Sequence, residues 1–386
     1  TLLFVEGFQE GLLFSLKKFE TRAVSEPEGE KTLSGPREGF TEALLANLSL
    51  LRRRLRTNCL KMRYYTVGQK TQTQLCIAYL EGVVQQSVVK EVYRRLKKID
   101  IDGILDANYI NELIRDNPWS PFRSMGYTER PDVVAAKLLE GRIAIFVDGS
   151  PVVLTLPYLF IENFQSNEDY YLNFYFTSFS RILRILGFFL TIFVPAIYIA
   201  IVAYHQEMLP APLLISIATE RQRVPLPAAL EAIIMLVLFE ILRETALRMQ
   251  TNVGQALSIV GALVVGQAAV EAQLVAAPMV IMVALAGITS LLVPKMNAPV
   301  LLLRFGILFL ASCLGFLGVT IGFAFMLAHI LSLQSFGFWQ LGFHRKMHYQ
   351  EMKDTVIRAP WYQMLLRPHL LAVDSVRQKN APEESS

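Results

Sequence analysis

The pattern of apolar and polar positions changes sharply near residue 178. Residues 1–171 mix apolar, polar and charged side chains in the manner of a water-soluble domain, whereas residues 182–333 are dominated by long apolar runs with few charges. Runs such as 185–203 and 274–293 approach the ~20 apolar residues that a helix needs to cross a bilayer. The pattern therefore predicts a soluble domain followed by an α-helical, multi-span membrane domain.

The soluble part alternates between strand and helix patterns. Strands are predicted at 2–5, 12–16, 62–67, 73–80, 143–147 and 152–156. Helices are predicted around the leucines of 44–55, at 88–99, at 107–115 and between 131 and 140. Thr41 is expected to cap the first helix, and Asp148 and Asp169 are interpreted as turn and cap residues. We predict an α+β or α/β fold for this domain.

Three apolar segments are predicted spans: 182–204, 274–294 and 299–333. Two other segments, 225–248 and 253–272, carry charged or small residues. If both of them crossed the membrane, the chain would end on the side opposite the soluble domain. The segment after the last span is basic, which favours the cytoplasmic side, at Arg345, Lys346, Lys353, Arg358 and Arg367. We therefore predict four full spans plus one short or re-entrant segment, with domains 1–172, 173–335 and a cytoplasmic tail at 336–386.

Aromatic side chains crowd the stretch before the first predicted span. Two interpretations remain open, a belt at the bilayer–water boundary or the core of the soluble domain, and both concern Phe160, Phe164, Tyr170, Tyr171, Phe174, Tyr175, Phe176 and Phe179. Arg181 and Arg184 begin the apolar run, and the positive-inside rule predicts that this end lies in the cytoplasm.

Segment 253–272 carries two stripes at helical spacing. A ridge of small residues suits close helix packing and contains Gly254, Ser258, Ala262 and Gly266. The neighbouring polar stripe is a candidate channel lining, with an acidic mouth that would concentrate cations, and its candidates are Gln255, Leu263, Gln267, Val270 and Glu271. The alternative is that the ridge packs a bundle within one subunit and Glu271 lies at the headgroups.

Segment 225–248 contains the ionisable residues Glu231, Glu240, Arg243 and Glu244. Ionisable groups inside a membrane segment usually pair with one another or face a cavity or transport path. A structural Glu–Arg pair and a role in transport therefore both remain open. His205 and His329, near the ends of predicted spans, are interpreted as interfacial or packing residues.

Composition narrows the function classes. The chain has 386 residues, of which 53% are hydrophobic, and its net charge is only +4, which gives little support to nucleic-acid binding. Its three cysteines are odd in number and far apart, which favours a reducing compartment over a disulfide framework. We find no phosphate-binding loop, metal-ligand spacing or nucleophile–base set, so no enzyme activity or cofactor is expected.

Several longer motifs resemble one known family. Residues 35–42 (GPREGFTE) resemble the corresponding motif in the A subunits of bacterial spore germinant receptors, the GerA family. Further similar segments, together covering nearly the whole chain, are 99–105 (IDIDGIL), 128–134 (TERPDVV), 138–143 (LLEGRI), 164–171 (FQSNEDYY), 258–271 (SIVGALVVGQAAVE) and 335–337 (SFG). The chain departs from the family pattern at 338–341 (FWQL) and within 117–125, at Trp119 and Arg123, which would affect docking of the tail and loop.

The resemblance implies a non-enzymatic, nutrient-responsive receptor subunit in the inner membrane of a dormant endospore, with its soluble domain and tail on the spore-core side. It implies a homo-oligomer that forms a ligand-gated channel for monovalent cations, partnered by a permease-like B subunit and a lipoprotein C subunit. It also implies that the family's first soluble subdomain is missing from this chain. The alternatives are a scaffold or coupling subunit of the receptor, or a paralogous spore-membrane ion-release protein.

Overall fold

The structure is a computed structural model that describes residues 2–3, 12–13, 23–27, 29–32, 34–248, 264, 266–342, 353–368, 371–374 and 376–377. The chain forms two compact units, Thr1–Ile114 with Tyr127–Thr155, and Arg115–Gly126 with Leu156–Ser386. Segment 115–126, which precedes the last strands of the first unit, therefore belongs to the second. The domain limits predicted near residues 172 and 335 remain predictions.

The first unit is a mixed α/β fold built on a five-stranded sheet. Its strands are β3 (Leu60–Val67), β4 (Thr73–Leu80), β5 (Gly126–Thr128), β6 (Ile143–Val147) and β7 (Val153–Leu156), in the order β3-β4-β6-β7-β5. A separate antiparallel pair joins β1 (Leu2–Leu3) to β2 (Leu12–Leu13). The helices are α1 (Leu44–Arg54), α2 (Gln86–Leu96), α3 (Ala107–Ile114) and α4 (Pro131–Leu139). These elements confirm the pattern predicted from residue 44 onward to within a few residues, apart from β5, which was not predicted.

The core of this unit lies on both faces of β4. Cys76 and Ala78 pack with α1, α4 and Phe146, and Leu75 and Ile77, which alternate with them along the strand, are also fully buried. Burial raises the pKa of the Cys76 thiol to about 12, so this cysteine is an unreactive core residue.

The first turn of α1 is capped by a residue that is remote in sequence. Asp148, in the turn between β6 and β7, accepts the backbone N–H of Leu44 at 3.2 Å. Thr41, the predicted cap, instead bonds with Asn47. Ala43 stands at the N-cap, and Thr41 Oγ1 accepts the Ala43 N–H at 3.4 Å and not an N–H of the helix itself. The turn interpretation of Asp148 is confirmed, and the capping by Thr41 is wrong.

The second unit is helical. Its elements are α5 (Phe174–Tyr204), α6 (Ala211–Arg221), α7 (Ala228–Arg248), α8 (Ala277–Ser290), α9 (Asn297–Leu314), α10 (Phe316–Ser332), β8 (Gln334–Ser335) and β9 (Phe338–Trp339). The long helix α5 contacts α7, α8, α9 and α10 and so lies at the centre of the unit. Among the described residues, two helices are long and apolar enough to cross a membrane, Phe174–Tyr204 and Pro294–Leu314, while Ala277–Ser290 and Phe316–Ser332 are shorter apolar helices.

The run 299–333, predicted as one long span, is two helices. Gly315 has φ +61°, a conformation that glycine adopts without strain, and it ends α9 and begins α10. The helices then pack against each other, and a side chain at Gly318 would collide with the Leu310 carbonyl oxygen. The apolar pattern is continuous across Gly315, so hydropathy alone does not reveal the break.

A short hairpin follows α10. Phe336 and Gly337, both at positive φ, form the two-residue connection between β8 and β9, the geometry that tight hairpins favour. Ser335 Oγ donates to the Ser124 carbonyl at 2.7 Å and accepts the Tyr158 N–H at 3.0 Å. The hairpin thereby ties segment 115–126 to the chain that leads into α5.

Candidate functional site

Three groups of polar side chains in the helical unit are candidates for function. The tail cluster comprises Asp169, Arg181, Arg184 and Asp354. The bundle cluster comprises Glu240, Arg243 and Arg304. The stripe pair is Gln267 with Glu271.

The tail cluster joins segment 353–368 to the beginning of α5. Arg181, which is fully buried, donates from Nε to Asp169 Oδ2 and from Nη1 to Asp354 Oδ1, each at 2.9 Å. Arg181 Nη1 also donates to the Thr355 carbonyl at 3.0 Å. Arg184 Nη1 lies 2.9 Å from both oxygens of Asp169. Charged hydrogen bonds of this kind are among the stronger ones in proteins.

Further contacts hold the same segment. The Tyr170 hydroxyl donates to Asp354 Oδ2 at 2.8 Å, and Arg358 donates to the Leu172 carbonyl at 2.9 Å. The Arg358 guanidinium lies over the rings of Tyr170 and Trp361, and burial lowers the pKa of this guanidinium from its ordinary value while Asp354 opposes that shift. Arg358, predicted as part of the basic cytoplasmic tail, is a buried residue that docks this segment.

Asp169 combines two roles. Its Oδ2 accepts the Ser166 N–H at 3.1 Å in a 3₁₀ turn, which confirms the cap interpretation. The same carboxylate holds both Arg181 and Arg184, a pairing that sequence reasoning missed. The spacing of Asp169 to the two arginines along the chain, 12 and 15 residues, carries no periodic signal, because a 3₁₀ turn and a helix start separate them.

Part of the aromatic stretch before α5 is buried in a core, but not in the core of the soluble domain that was one interpretation. Phe160 and Phe164 are buried in the core of the second unit. The exposed members of the stretch that the structure describes include Tyr171, Tyr175, Phe176 and Phe179. Those on α5 lie within its first two turns, and the belt at the bilayer boundary remains a prediction.

The bundle cluster links α7 to α9. Glu240 contacts Arg304 of α9 and Arg243 of its own helix. Arg304 is only 1% exposed, and its Nε and Nη1 atoms have no hydrogen-bond partner among the described residues. Sequence reasoning missed Arg304, although a single arginine within an apolar run was a visible signal for a paired charge.

The other charged residues of α7 differ in environment. Glu231 is fully buried, and its Oε2 accepts the Ala276 N–H at 3.1 Å, immediately before α8, where the helix dipole favours a negative charge. Glu244 lies on the surface and pairs with Arg248. The four predicted ionisable residues of this segment therefore occupy three separate places.

The stripe pair is exposed. Residues 266–271 are helical, and Gln267 Nε2 donates to Glu271 Oε1 at 2.9 Å. Gly266 is buried, with Val280 beside it, and Val270 is half-buried. Gln255, Leu263, Gly254, Ser258 and Ala262 lie outside the described residues, so their part in the two predicted stripes remains a prediction.

Two segments that are expected to differ from the family pattern, 117–125 and 338–341, contact each other. Gln340 Nε2 donates to the Arg123 carbonyl at 2.9 Å, and the Phe336 N–H donates to Asp116. His329 bonds with Ser120 at 2.9 Å and lies against the Phe122 ring, which confirms its interpretation as a packing residue. Arg123 and Gln340 therefore lie in one contact surface, whereas Trp119 is 97% exposed.

Comparison with known proteins identifies the relatives of this chain. The profile of the family described as Bacillus/Clostridium GerA spore germination protein matches residues 1–370. The membrane protein YfkQ of Bacillus subtilis (strain 168) is 44% identical over 95% of this chain and 72% of its own length. Spore germination protein KA of the same organism is 44% identical over 98% of this chain and 70% of its own length.

A solved structure also matches. The crystal structure of the N-terminal domain of the A subunit of the Bacillus megaterium spore germinant receptor GerK3 is 48% identical to this chain, covering 32% of it and 97% of that domain, with a TM-score of 0.27. The profile match extends over both units and nearly to the end of the chain. This protein belongs to the GerA family of spore germination proteins.

Proposed function

We propose that this protein is the A subunit of a nutrient-responsive spore germination receptor, that several copies assemble around a water-filled path, and that the path opens to release monovalent cations. The family membership and the names of its relatives support the germination role. The observation that carries the ion path is the exposed stripe pair on a helix whose opposite side packs into its own unit.

The packing of residues 266–271 supports an outward-facing polar stripe. Gly266 is buried, and Ala269 packs on the apolar cluster of α5, α7 and α8. Gln267 and Glu271, one turn apart, are both exposed. Leaving a carboxylate against lipid costs several kcal/mol, so this face favours water, and copies arranged in a ring would place these carboxylates around one axis.

The position of the tail supports the predicted sidedness. Asp354 is bound by Arg181 near the start of α5, so the chain leaves the first turns of α5 and comes back to the same end. Such a return requires an even number of crossings. We propose a multi-span protein of the endospore inner membrane with its first unit and tail on the spore-core side.

The mechanism that we propose is a population shift. A nutrient bound to a partner, a permease-like B subunit, would favour the open arrangement of the A-subunit ring. A lipoprotein C subunit completes the complex in this proposal. The A subunit then acts as a conduit and not as an enzyme.

The test is monovalent-cation release from spores that carry Glu271→Gln. If Glu271 concentrates cations at the mouth of the path, this change lowers the nutrient-triggered release rate by roughly tenfold. Glu244→Gln is the matched control, since it removes the same charge from another exposed glutamate that pairs one turn along its helix. Equal release from both variants and the unmodified protein would contradict the conduit.

A second variant tests the narrow part of the path. Val270 lies next to Glu271 and is half-buried, so Val270→Ala is expected to widen the path and to increase cation leak from dormant spores without nutrient. Release that is unchanged in dormant and triggered spores would argue against a path here.

The tail cluster favours a second candidate, a scaffold or coupling subunit. It fastens the C-terminal segment to α5 through buried ion pairs, which suits the transmission of a conformational change between partners. Under this alternative, substitutions in the tail cluster would abolish germination whereas substitutions in the stripe pair would have no effect on cation release.

A further inference from the structure

A cavity of about 410 Å³ lies beside the C-terminal end of α5, on the side of the unit formed with α6. Most of its lining is apolar, and the polar residues are Gln206, Arg221 and Gln222. The apolar part of the lining is formed by Val202, Ala203, Leu209, Leu214, Ile217 and Ala218. The cavity therefore has the mixed character of sites that bind small organic molecules.

Arg221 connects this cavity to a buried polar group. Tyr198, one turn before Val202 on α5, is 6% exposed, and its hydroxyl lies within electrostatic reach of Arg221 and Glu231. Arg221 Nη2 and Glu231 Oε1 are 3.6 Å apart, which is a charge contact but too long for a good hydrogen bond.

Three atoms of this group are buried without a hydrogen-bond partner in the part of the chain that the structure describes. They are the Tyr198 hydroxyl, Arg221 Nη1 and Glu231 Oε1. Buried polar atoms are nearly always satisfied in folded proteins, so each such atom calls for an explanation. The three atoms belong to three different helices, and one of them belongs to Arg221, which lines the cavity; together they point to a bound molecule.

The charges and donors restrict what that molecule is. Arg221 and Glu231 balance each other, so an ion would bring an uncompensated charge into a poorly hydrated place. Arg221 only donates and the Glu231 carboxylate only accepts, while the Tyr198 hydroxyl does either. The ligand head must therefore accept one hydrogen bond and donate another. A hydroxyl or a primary amide both accepts and donates, and so it matches these three atoms.

We propose that this cavity binds a small, uncharged amphiphile. Its hydroxyl or primary-amide head bonds with Arg221, Glu231 and Tyr198, and its hydrocarbon part lies against the walls around Val202 and Leu209. The ligand thereby joins α5, α6 and α7, the helices that carry those three polar residues. This site is separate from the stripe pair and does not depend on the cation path.

The experiment is photolabelling of the purified full chain in lipid nanodiscs with octanol that carries a diazirine on its chain. The label is expected on peptides from 202–222. Unlabelled octanol and octanamide should displace it, and octane, which lacks the head, should compete roughly tenfold less well because it forms no hydrogen bond.

Three variants separate binding from general partitioning. Tyr198→Phe removes one oxygen atom. This variant and the separate single variant Glu231→Gln are each expected to reduce labelling of these peptides several-fold. Tyr204→Phe is the control, since this tyrosine is on the same helix but donates to the Ser312 carbonyl. Elution volume on size exclusion checks that Glu231→Gln is folded.

Two outcomes overturn the proposal. Labelling that is absent from 202–222, or that octane displaces as well as octanol, leaves water as the partner of the polar atoms. Labelling that Tyr198→Phe and Tyr204→Phe affect equally shows that the hydroxyl of Tyr198 has no special role.

Discussion

The tail cluster and the bundle cluster both bury arginines, but they supply these arginines with partners in different ways. Arg181 in the tail cluster donates to two carboxylates and to the Thr355 carbonyl. Arg304 in the bundle cluster has Glu240 as its acceptor, and Arg243 shares the same carboxylate. Among the described residues, Arg181 thus has three acceptors from two chain segments, whereas Arg304 has a single acceptor side chain.

The difference follows from the backbone around each arginine. Near Arg181 the chain forms 3₁₀ turns and an irregular segment, where carbonyl groups remain free to accept. Arg304 lies in the middle of α9 beside α7, where helical hydrogen bonds occupy the carbonyls. An arginine between two helices must therefore rely on carboxylates as acceptors. The loss of such a carboxylate is expected to lower the stability of the protein strongly.

The largest expected effect comes from Glu240→Gln. It leaves Arg304 and Arg243 without their shared carboxylate and is expected to lower the free energy of unfolding by ~3–5 kcal/mol. The measurement is the thermal unfolding midpoint of the purified protein in detergent, recorded by scanning fluorimetry.

Two further variants make this prediction specific. Glu244→Gln, on the same helix but in an exposed pair, should change stability by less than ~1 kcal/mol. The double variant Glu240→Met with Arg304→Met should recover much of the loss, because it removes both buried charges. A Glu240→Gln protein as stable as Glu244→Gln would remove the distinction between the two clusters.

An intermediate effect is expected from Arg181→Met. Asp169 keeps Arg184, and Asp354 keeps the Tyr170 hydroxyl, so we expect a cost of ~2–3 kcal/mol, confined to docking of the tail. Trypsin cleavage after Arg358, which is 3% exposed, reports the opening of this segment and should become at least tenfold faster.

Arg184→Met is the control for that measurement. Arg184 bonds with Asp169 and the Phe164 carbonyl, and its bonds to Asp169 do not reach the tail segment directly. Its loss should therefore accelerate cleavage much less than the loss of Arg181. Equal acceleration by the two variants would show that the cluster acts as one unit and not through the Arg181–Asp354 bond.

The smallest effect is expected at the surface of the first unit. The pKa of Glu91 is lowered from 4.5 to about 2, mainly by the hydrogen bond from Arg94. A hydrogen bond from Arg95 lowers this pKa further, whereas burial of the carboxylate acts in the opposite direction. Because the folded pKa lies below the unfolded one, this stabilisation is present above about pH 4.5 and is lost as the pH falls toward about 2.

Glu91→Gln tests this titration. It is expected to lower stability by less than ~1 kcal/mol at pH 7, and the difference from the unmodified protein should shrink at pH 3. The readout is the thermal midpoint at both values. A difference that grows on acidification would contradict the assigned direction of the pKa shift.

Several features were predictable because they depend on neighbours in sequence. Alternation predicted β4, the hairpin pattern predicted β6 and helical spacing predicted α2. The burial of β4 and β6 on both faces was not part of that pattern. The turn at Asp148-Gly149 was also predictable, because an Asp-Gly pair between two strands is typical of a tight turn. In the structure Gly149 has φ +87°, a conformation that favours glycine. The motifs likewise predicted the family, which the match over residues 1–370 confirms.

The sequence by itself thus determined the helices and, apart from β5, the strands of the first unit, the apolar character of the second unit and the family. Only the tertiary structure decided that 299–333 folds back at Gly315, that Arg304 meets Glu240, and that Asp354 returns to Arg181. Arg304 and Glu240 lie 64 positions apart in the sequence, and Asp354 and Arg181 lie 173 positions apart. Periodicity shows which face of an element is apolar, whereas the partner of a buried charge depends on which elements pack together.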